Sequence, residues 1–382
     1  MGRLGIGLGL GRTTGGSGTS SGELPQNGLQ GLYRVRESSF ALADDSITQW
    51  DDTSGSSNNL TQTSSANQST FVEGYTGVGD ELVTNGDFSD GNTGWSLASG
   101  VAITNNTLVF TSVNGGWSYS ETSNAIIGNK YLLSVNIPSY TQGSVIFYDS
   151  VSGSTITTIS SSGVFSVPFI ANNNSNTIAF VGTSSATLDI SSISVKLAQR
   201  DTSKDKISFD TTAFLNGLPP QSGDFTYVVK GIDIPNYQDE ANVIFEVDYE
   251  IYGATSARFI NTYGSLRIND ISNAVVFLEP WSGSGDIAVT KESNTLKVYF
   301  NGVQLGSDVD VTGSSFDGIV NLSRSIFGLN GTISGCVAVY DKALNADQMA
   351  SLSGLSKVFL LDEDGNDLVD EFGNKLFSYE LI

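Results

Sequence analysis

The run Leu296-Lys297-Val298-Tyr299-Phe300-Asn301-Gly302-Val303-Gln304-Leu305 holds two alternating segments joined by Asn-Gly. A two-residue hairpin turn needs positive φ at both positions, which Asn tolerates and Gly adopts freely, so the stretch predicts a tight β-hairpin. The same strand character recurs at Ile47-Thr48-Gln49-Trp50, near 101–111, 131–137, 144–149, 163–170, 177–182 and 187–197, and at 206–210, 225–229, 242–247 and 274–278. Helix signals converge only on 345–352, with Asn345 as the expected N-cap and Asp347 in the first turn. The fold class is therefore all-β.

At 382 residues the chain exceeds one ordinary domain, and 43 Gly suit many short strands joined by turns. Eighteen basic residues against 40 acidic give a formal charge of −22, which repels phosphate backbones and anionic lipid and makes nucleic acid an improbable partner. Such acidity favours solubility. Cys336 alone gives no disulfide framework, and its place in Ile333-Ser334-Gly335-Cys336-Val337-Ala338-Val339-Tyr340 predicts a small buried residue. There is no apolar run of membrane-spanning length and no cationic segment leading into an apolar one, so neither a membrane span nor a secretory signal is expected.

Residues 1–28 form a Gly-rich extended arm, in which Leu4, Ile6, Leu8 and Leu10 alternate with glycine and offer one apolar edge for strand addition to a partner. At the other end, 356–382, Asp364-Gly365-Asn366 and Phe372-Gly373-Asn374 each sit between apolar pairs, a spacing that predicts two linked hairpins.

Leu82-Val83-Thr84-Asn85-Gly86-Asp87-Phe88-Ser89-Asp90-Gly91, followed by Gly94-Trp95, resembles the opening of jelly-roll carbohydrate-binding modules of bacterial glycanases and phage surface proteins. Leu188-Asp189-Ile190-Ser191-Ser192-Ile193-Ser194-Val195-Lys196 resembles their closing strand. The flanks resemble one concanavalin A or laminin-G-like sandwich, through Ile47 to Gly55 with Asn58-Asn59-Leu60, the strand at 225–229, the Asn301-Gly302 hairpin and the stretch from Gly331 to Leu352. The resemblance implies two antiparallel β-sandwiches, one inserted in the other: 29–80 plus 200–355 as host and 81–199 as insert.

Without histidine, Ser-His-Asp and Cys-His catalysis are excluded. Glu246, Asp248 and Glu250 alternate as a glycosidase pair would require, yet the same pattern is the solvent face of a half-buried sheet, and no enzyme is expected. Asp362, Asp364 and Asn366 begin like an EF-hand loop but lack its glycine position and closing glutamate, so they read as a turn. The module resemblance makes Ca2+ a candidate ion, with Asp87, Asp90 and Asp189 as its ligands by position. Trp117 and Tyr119 alternate in Gly115-Gly116-Trp117-Ser118-Tyr119-Ser120, as either a sugar-stacking platform or part of a buried face; Trp281 is a second candidate, while Trp50 and Trp95 read as core.

Together the resemblances imply a bacteriophage virion surface protein, mounted through its N-terminal arm on capsid or tail, oligomeric, and displaying its sandwiches to polysaccharide or host surface. A bacterial glycan-binding adhesin or glycoside hydrolase accessory protein is the alternative, and a structural decoration protein without ligand is a third.

Overall fold

The computed structural model describes residues 24–120, 125–151, 153–172, 178–210, 212–219, 223–234, 242–248, 258–262, 265–269, 275–314, 319–323, 329–353, 355–359 and 377–381. It is an all-β protein, and Ala346–Leu352 is the one α-helix among the described residues. The chain divides into two compact units, Met1–Val72 with Asp205–Ile382, and Glu73–Lys204.

In the first unit one antiparallel sheet runs Val303–Asp310, Thr295–Phe300, Ser284–Glu292, Phe225–Asp233, Cys336–Tyr340, Leu29–Arg34. Asn301 and Gly302 turn the expected hairpin with φ of 49° and 79°, pairing Phe300 with Val303. Cys336–Tyr340 is buried throughout, because alternate side chains enter two cores. Val337 and Val339 join Tyr227, Val229, Val289 and Val298 in the main cluster. Cys336, Ala338 and Tyr340 join Val228, Ala288 and Tyr299 in a second, which Met349 and Leu352 of the helix complete. Burial pushes the Cys336 thiol up to about 11, so it behaves as a small apolar residue.

That helix is short and depends on its ends. The Asn345 Oδ1 accepts from Gln348 N at 2.9 Å, and Asn345 N donates to Gln348 Oε1 at 3.0 Å, a reciprocal capping box. At the other end Lys230 Nζ donates to the Leu352 carbonyl.

The facing strands pair in the sequence Val275–Pro280, Ser265–Asn269, Arg258–Thr262, Asn242–Asp248, Ile319–Ser323, Phe214–Leu218, Leu60–Thr61, Ser46–Trp50, Phe40–Ala43. They bring Leu266, Ile268, Phe245, Leu322 and Leu215 into the main core, with Trp50 fully buried beside Tyr33 and Phe40. Leu355–Phe359 pairs with Phe377–Leu381 as a separate ribbon; the predicted repeat between them lies outside the described residues.

The edge strand Leu29–Arg34 shows what the stretch after Trp50 is for. Asp52 Oδ1 accepts Leu32 N at 2.9 Å, Thr53 N donates to Leu32 O at 2.7 Å, and Asn58 Nδ2 donates to Gln30 O at 2.8 Å. The indole of Trp50 donates to Arg34 O at 2.9 Å, and the Tyr33 hydroxyl to Asn58 O at 2.5 Å. These bonds satisfy backbone groups that a further strand would otherwise pair, and they close the edge against association.

The second unit is a jelly-roll sandwich of two antiparallel sheets. One runs Thr155–Ile159, Ser139–Tyr148, Ala179–Ile190, Ser118–Ser120, Trp95–Ser96, with Thr107–Val113 also on Ala179–Ile190 and Val101–Thr104 beyond it. The other runs Gly163–Ile170, Lys130–Ile137, Ser192–Arg200, Tyr75–Val78. Tyr75–Val78 thus belongs to this unit and not to the host expected from sequence, because it pairs with Ser192–Arg200. Two expected strands are each split. Asn105 and Asn106, with φ of 51° and 59°, turn 101–111 into a hairpin, and at Ser191 the chain leaves one sheet for the other.

The motif at 82–95 is a structural clasp. The Asn85 side chain donates to Gly91 O and Thr93 O and accepts from Asp90 N, while its carbonyl receives the Trp95 indole at 3.0 Å. A Cβ on Gly86 would stand 2.0 Å from Ile193 O, so only glycine allows the loop to meet the closing strand, where Ile193 N donates to Gly86 O at 2.8 Å. Phe88 and Trp95 pack at 5.5 Å in the core with their rings tilted by 49°.

Replacing Asp52 by Ala leaves Leu32, Ser54 and Asn58 N–H groups without their acceptor. The expected loss is about 1–3 kcal/mol, read by denaturant unfolding; a loss under about 0.5 kcal/mol would show the edge is held otherwise. A second expectation concerns acid. Burial raises the Asp52 and Asp210 carboxyls, but their hydrogen bonds outweigh it and hold both below 3.8. Bonds from Ser89, Ser203 and Thr312 likewise lower Asp87, Asp201 and Asp310. Depressed carboxylates contribute stability that is present above the unfolded value and lost as pH falls through the folded ones. The melting temperature should therefore drop on acidification below about pH 4, and less steeply when Asp52 and Asp210 are both Asn.

Candidate functional site

Cross-strand register sets the two faces of the second unit's larger sheet. Ser118, Phe180 and Phe147 stand opposite one another and are buried in the core. Their neighbours Tyr119, Ala179 and Tyr148 form the adjacent row, on the face turned away from the core. Trp117 immediately precedes the strand Ser118–Ser120 and reaches the same face through its contact with Tyr148. Its ring meets Tyr148 at 4.8 Å and 62°, edge to face, and it remains 38% exposed. Along the same strands the face continues to Ile146 opposite Val181 and then to Ser144 opposite Thr183, whose hydroxyls are 2.6 Å apart.

Three aromatic side chains are thus held on one solvent-facing sheet surface, with hydroxyls further along it. An exposed indole braced by a phenol ring offers a flat apolar surface that keeps its orientation without a ligand. Of the sugar-stacking candidates, Trp117 and Tyr119 are brought together. Tyr148 was missed by sequence reading; the period of two in Val145-Ile146-Phe147-Tyr148 marks it as facing opposite to Phe147, but only pairing through Ala179 sets it in line with Tyr119, and only the folded chain brings its ring against Trp117.

Trp281 is corrected: it is 6% exposed in the host's main cluster with Phe277 and Leu266, filling core volume where a sugar would need open surface. Trp50 and Trp95 are core, at 0% and 4%. The calcium candidates lie on two different elements. Asp87 and Asp90 sit on the 82–95 loop, where Asp87 accepts from the Ser89 hydroxyl at 2.9 Å, and Asp189 lies near the end of Ala179–Ile190, paired with Val109 on one side and Ser139 on the other. Among the described residues no three His, Cys, Asp or Glu side chains converge on a possible metal position. Glu246 and Asp248 lie on Asn242–Asp248, and Glu250 lies outside the described residues, as do Leu4, Ile6, Leu8 and Leu10. Among the described residues no helix is long and apolar enough to cross a membrane.

No family model matches the sequence, and no curated protein matches it. Solved structures give partial likenesses. Domain 4 of AbnA, a GH43 extracellular arabinanase from Geobacillus stearothermophilus, is similar at 13% identity and a TM-score of 0.32, over 39% of this chain and 76% of that one. The receptor-binding domain of botulinum neurotoxin type G is similar at 10% and 0.31, over 43% and 45%, and domains LG4-5 of mouse laminin α1 at 9% and 0.24, over 65% and 96%. Likeness at this level does not carry a ligand from one chain to another.

Proposed function

We propose that this chain is a non-enzymatic glycan-binding protein, and that its inserted jelly roll takes the apolar face of a pyranose on Trp117, Tyr119 and Tyr148. The observation that carries this reading is the exposed Trp117 ring set against Tyr148 on an open sheet face. A buried-core role would have turned these rings inward with Phe147 and Phe180. CH groups on a sugar ring pack on aromatic faces, and sheet hydroxyls such as Ser144 and Thr183 supply bonds to its OH groups. The sequence resemblances favour a setting on a virion surface, with the N-terminal arm as mount; an adhesin or hydrolase accessory protein would use the same platform.

Affinity electrophoresis and calorimetry against a panel of soluble polysaccharides test the platform. Trp117→Ala should keep the melting temperature within a few degrees of wild type, since the ring is 38% exposed, and weaken binding at least about tenfold; unchanged binding would sink the reading. The mount is tested separately: a chain lacking residues 1–23 should still bind glycan but fail to co-sediment with particles of its source, whereas retained association removes the arm from that role.

A further inference from the structure

The charges of the inserted unit are divided unevenly between its two sheets. Residues 73–204 hold four basic side chains, Lys130, Lys196, Arg200 and Lys204, against nine acidic ones. Lys130, Lys196 and Arg200 stand on strands of the smaller sheet, and Lys204 ends the single turn that follows it. Three of the four are already engaged. Lys130 pairs with Glu73 at 3.6 Å and lies 4.6 Å from the Tyr75 ring centre, Arg200 pairs with the same carboxylate at 3.6 Å, and Lys204 pairs with Asp201 at 3.8 Å.

The larger sheet, which carries the aromatic row, has no Lys or Arg on any of its seven strands. Every other residue from 73 to 204 is neutral or acidic, so no loop of this unit brings a cation to that face. The one charged residue on these strands, Asp189, is ten residues along the chain from Ala179, roughly 30 Å at the rise of an extended strand. Asp149, next to Tyr148, is 7% exposed, and its carboxylate accepts Ser154 N at 2.7 Å and Asn172 N at 3.1 Å. What the face presents beside its rings is hydroxyl: Ser96 opposite Tyr119, Thr155 opposite Tyr148, Thr158 opposite Ile146, and Ser144 beside Thr183.

From this division we infer that the glycan recognised at Trp117 is uncharged: a neutral polysaccharide without carboxylate, sulfate or phosphate groups. The inference rests on the platform reading above. An anionic group set on this face would give up water and gain no counter-charge, on a chain that already carries −22. The hydroxyls of a neutral sugar meet groups that can both donate and accept. Contacts between uncharged groups are not screened by ions, so binding is indifferent to salt.

The test is binding of the full chain at about 20 and about 500 mM NaCl, below and above the ionic strength that screens exposed charges. The probes are hydroxyethylcellulose against carboxymethylcellulose and methyl-esterified against de-esterified homogalacturonan, alongside the wider polysaccharide panel. Every glycan whose binding Trp117→Ala weakens should be neutral. Within a pair that binds, the neutral member should be preferred by about tenfold or more, the scale of a charge left without a partner. That preference should survive high salt, where repulsion by the chain's overall charge is screened. A cation added at the margin of the face should relax the choice: Thr158→Lys, on the sheet's outermost strand, should raise affinity for the anionic member about two- to fivefold at low salt. Ser166→Lys, the same change of net charge on the smaller sheet, should not. An anionic glycan held at high salt and released by Trp117→Ala overturns the inference and leaves the platform standing, and so does an equal gain from both lysines. Binding that Trp117→Ala leaves unchanged on every glycan removes the platform and the inference with it.

Discussion

The carboxylate of Asp52 does the work of a missing strand. It accepts the Leu32 N–H at the open edge of the host sheet and also receives Ser54 and Asn58, so one side chain both shapes its loop and seals the edge. Asn85 has the equivalent place in the inserted unit, gathering Asp90, Gly91 and Thr93 and holding the Trp95 indole. Sandwiches of short strands leave many backbone groups at their margins, and each must find a partner. Here the polar residues around each signature tryptophan provide it.

The aromatic face follows from that framework. With Phe147 and Phe180 committed to the jelly-roll core, the period of two sends Tyr148 to the other side, and the pairing of Ser139–Tyr148 and Ser118–Ser120 with Ala179–Ile190 sets it in one row with Tyr119. Tyr119 and Tyr148 are therefore held on paired strands, with the Trp117 ring set against Tyr148. In the host unit the comparable outer face is not available, since the helix covers Ala338 and Tyr299 with Met349 and Leu352.

Much of the architecture was legible locally. Alternation marked most strands, Asn301-Gly302 marked its turn, Asn345 marked the helix start, and Trp50 and Trp95 read correctly as core. The misreadings share one cause. Asn105-Asn106 and Ser191 interrupt runs that look continuous, because whether a polar residue continues a strand or turns it depends on which sheet its neighbours join.

What the sequence determined by itself was the kind of protein: an all-β chain with no histidine, no disulfide and a deep acidic excess, properties fixed by composition and by a period that needs no partner to be read. What only the tertiary structure decided was which face of each alternating run is wet. Trp117 and Trp281 are equally plausible in sequence as exposed rings, yet one stands on open sheet and the other fills a core. Tyr148, unremarked in sequence, stands beside Trp117. Alternation assigns residues to two sides; only the packing of sheet on sheet says which side is inside.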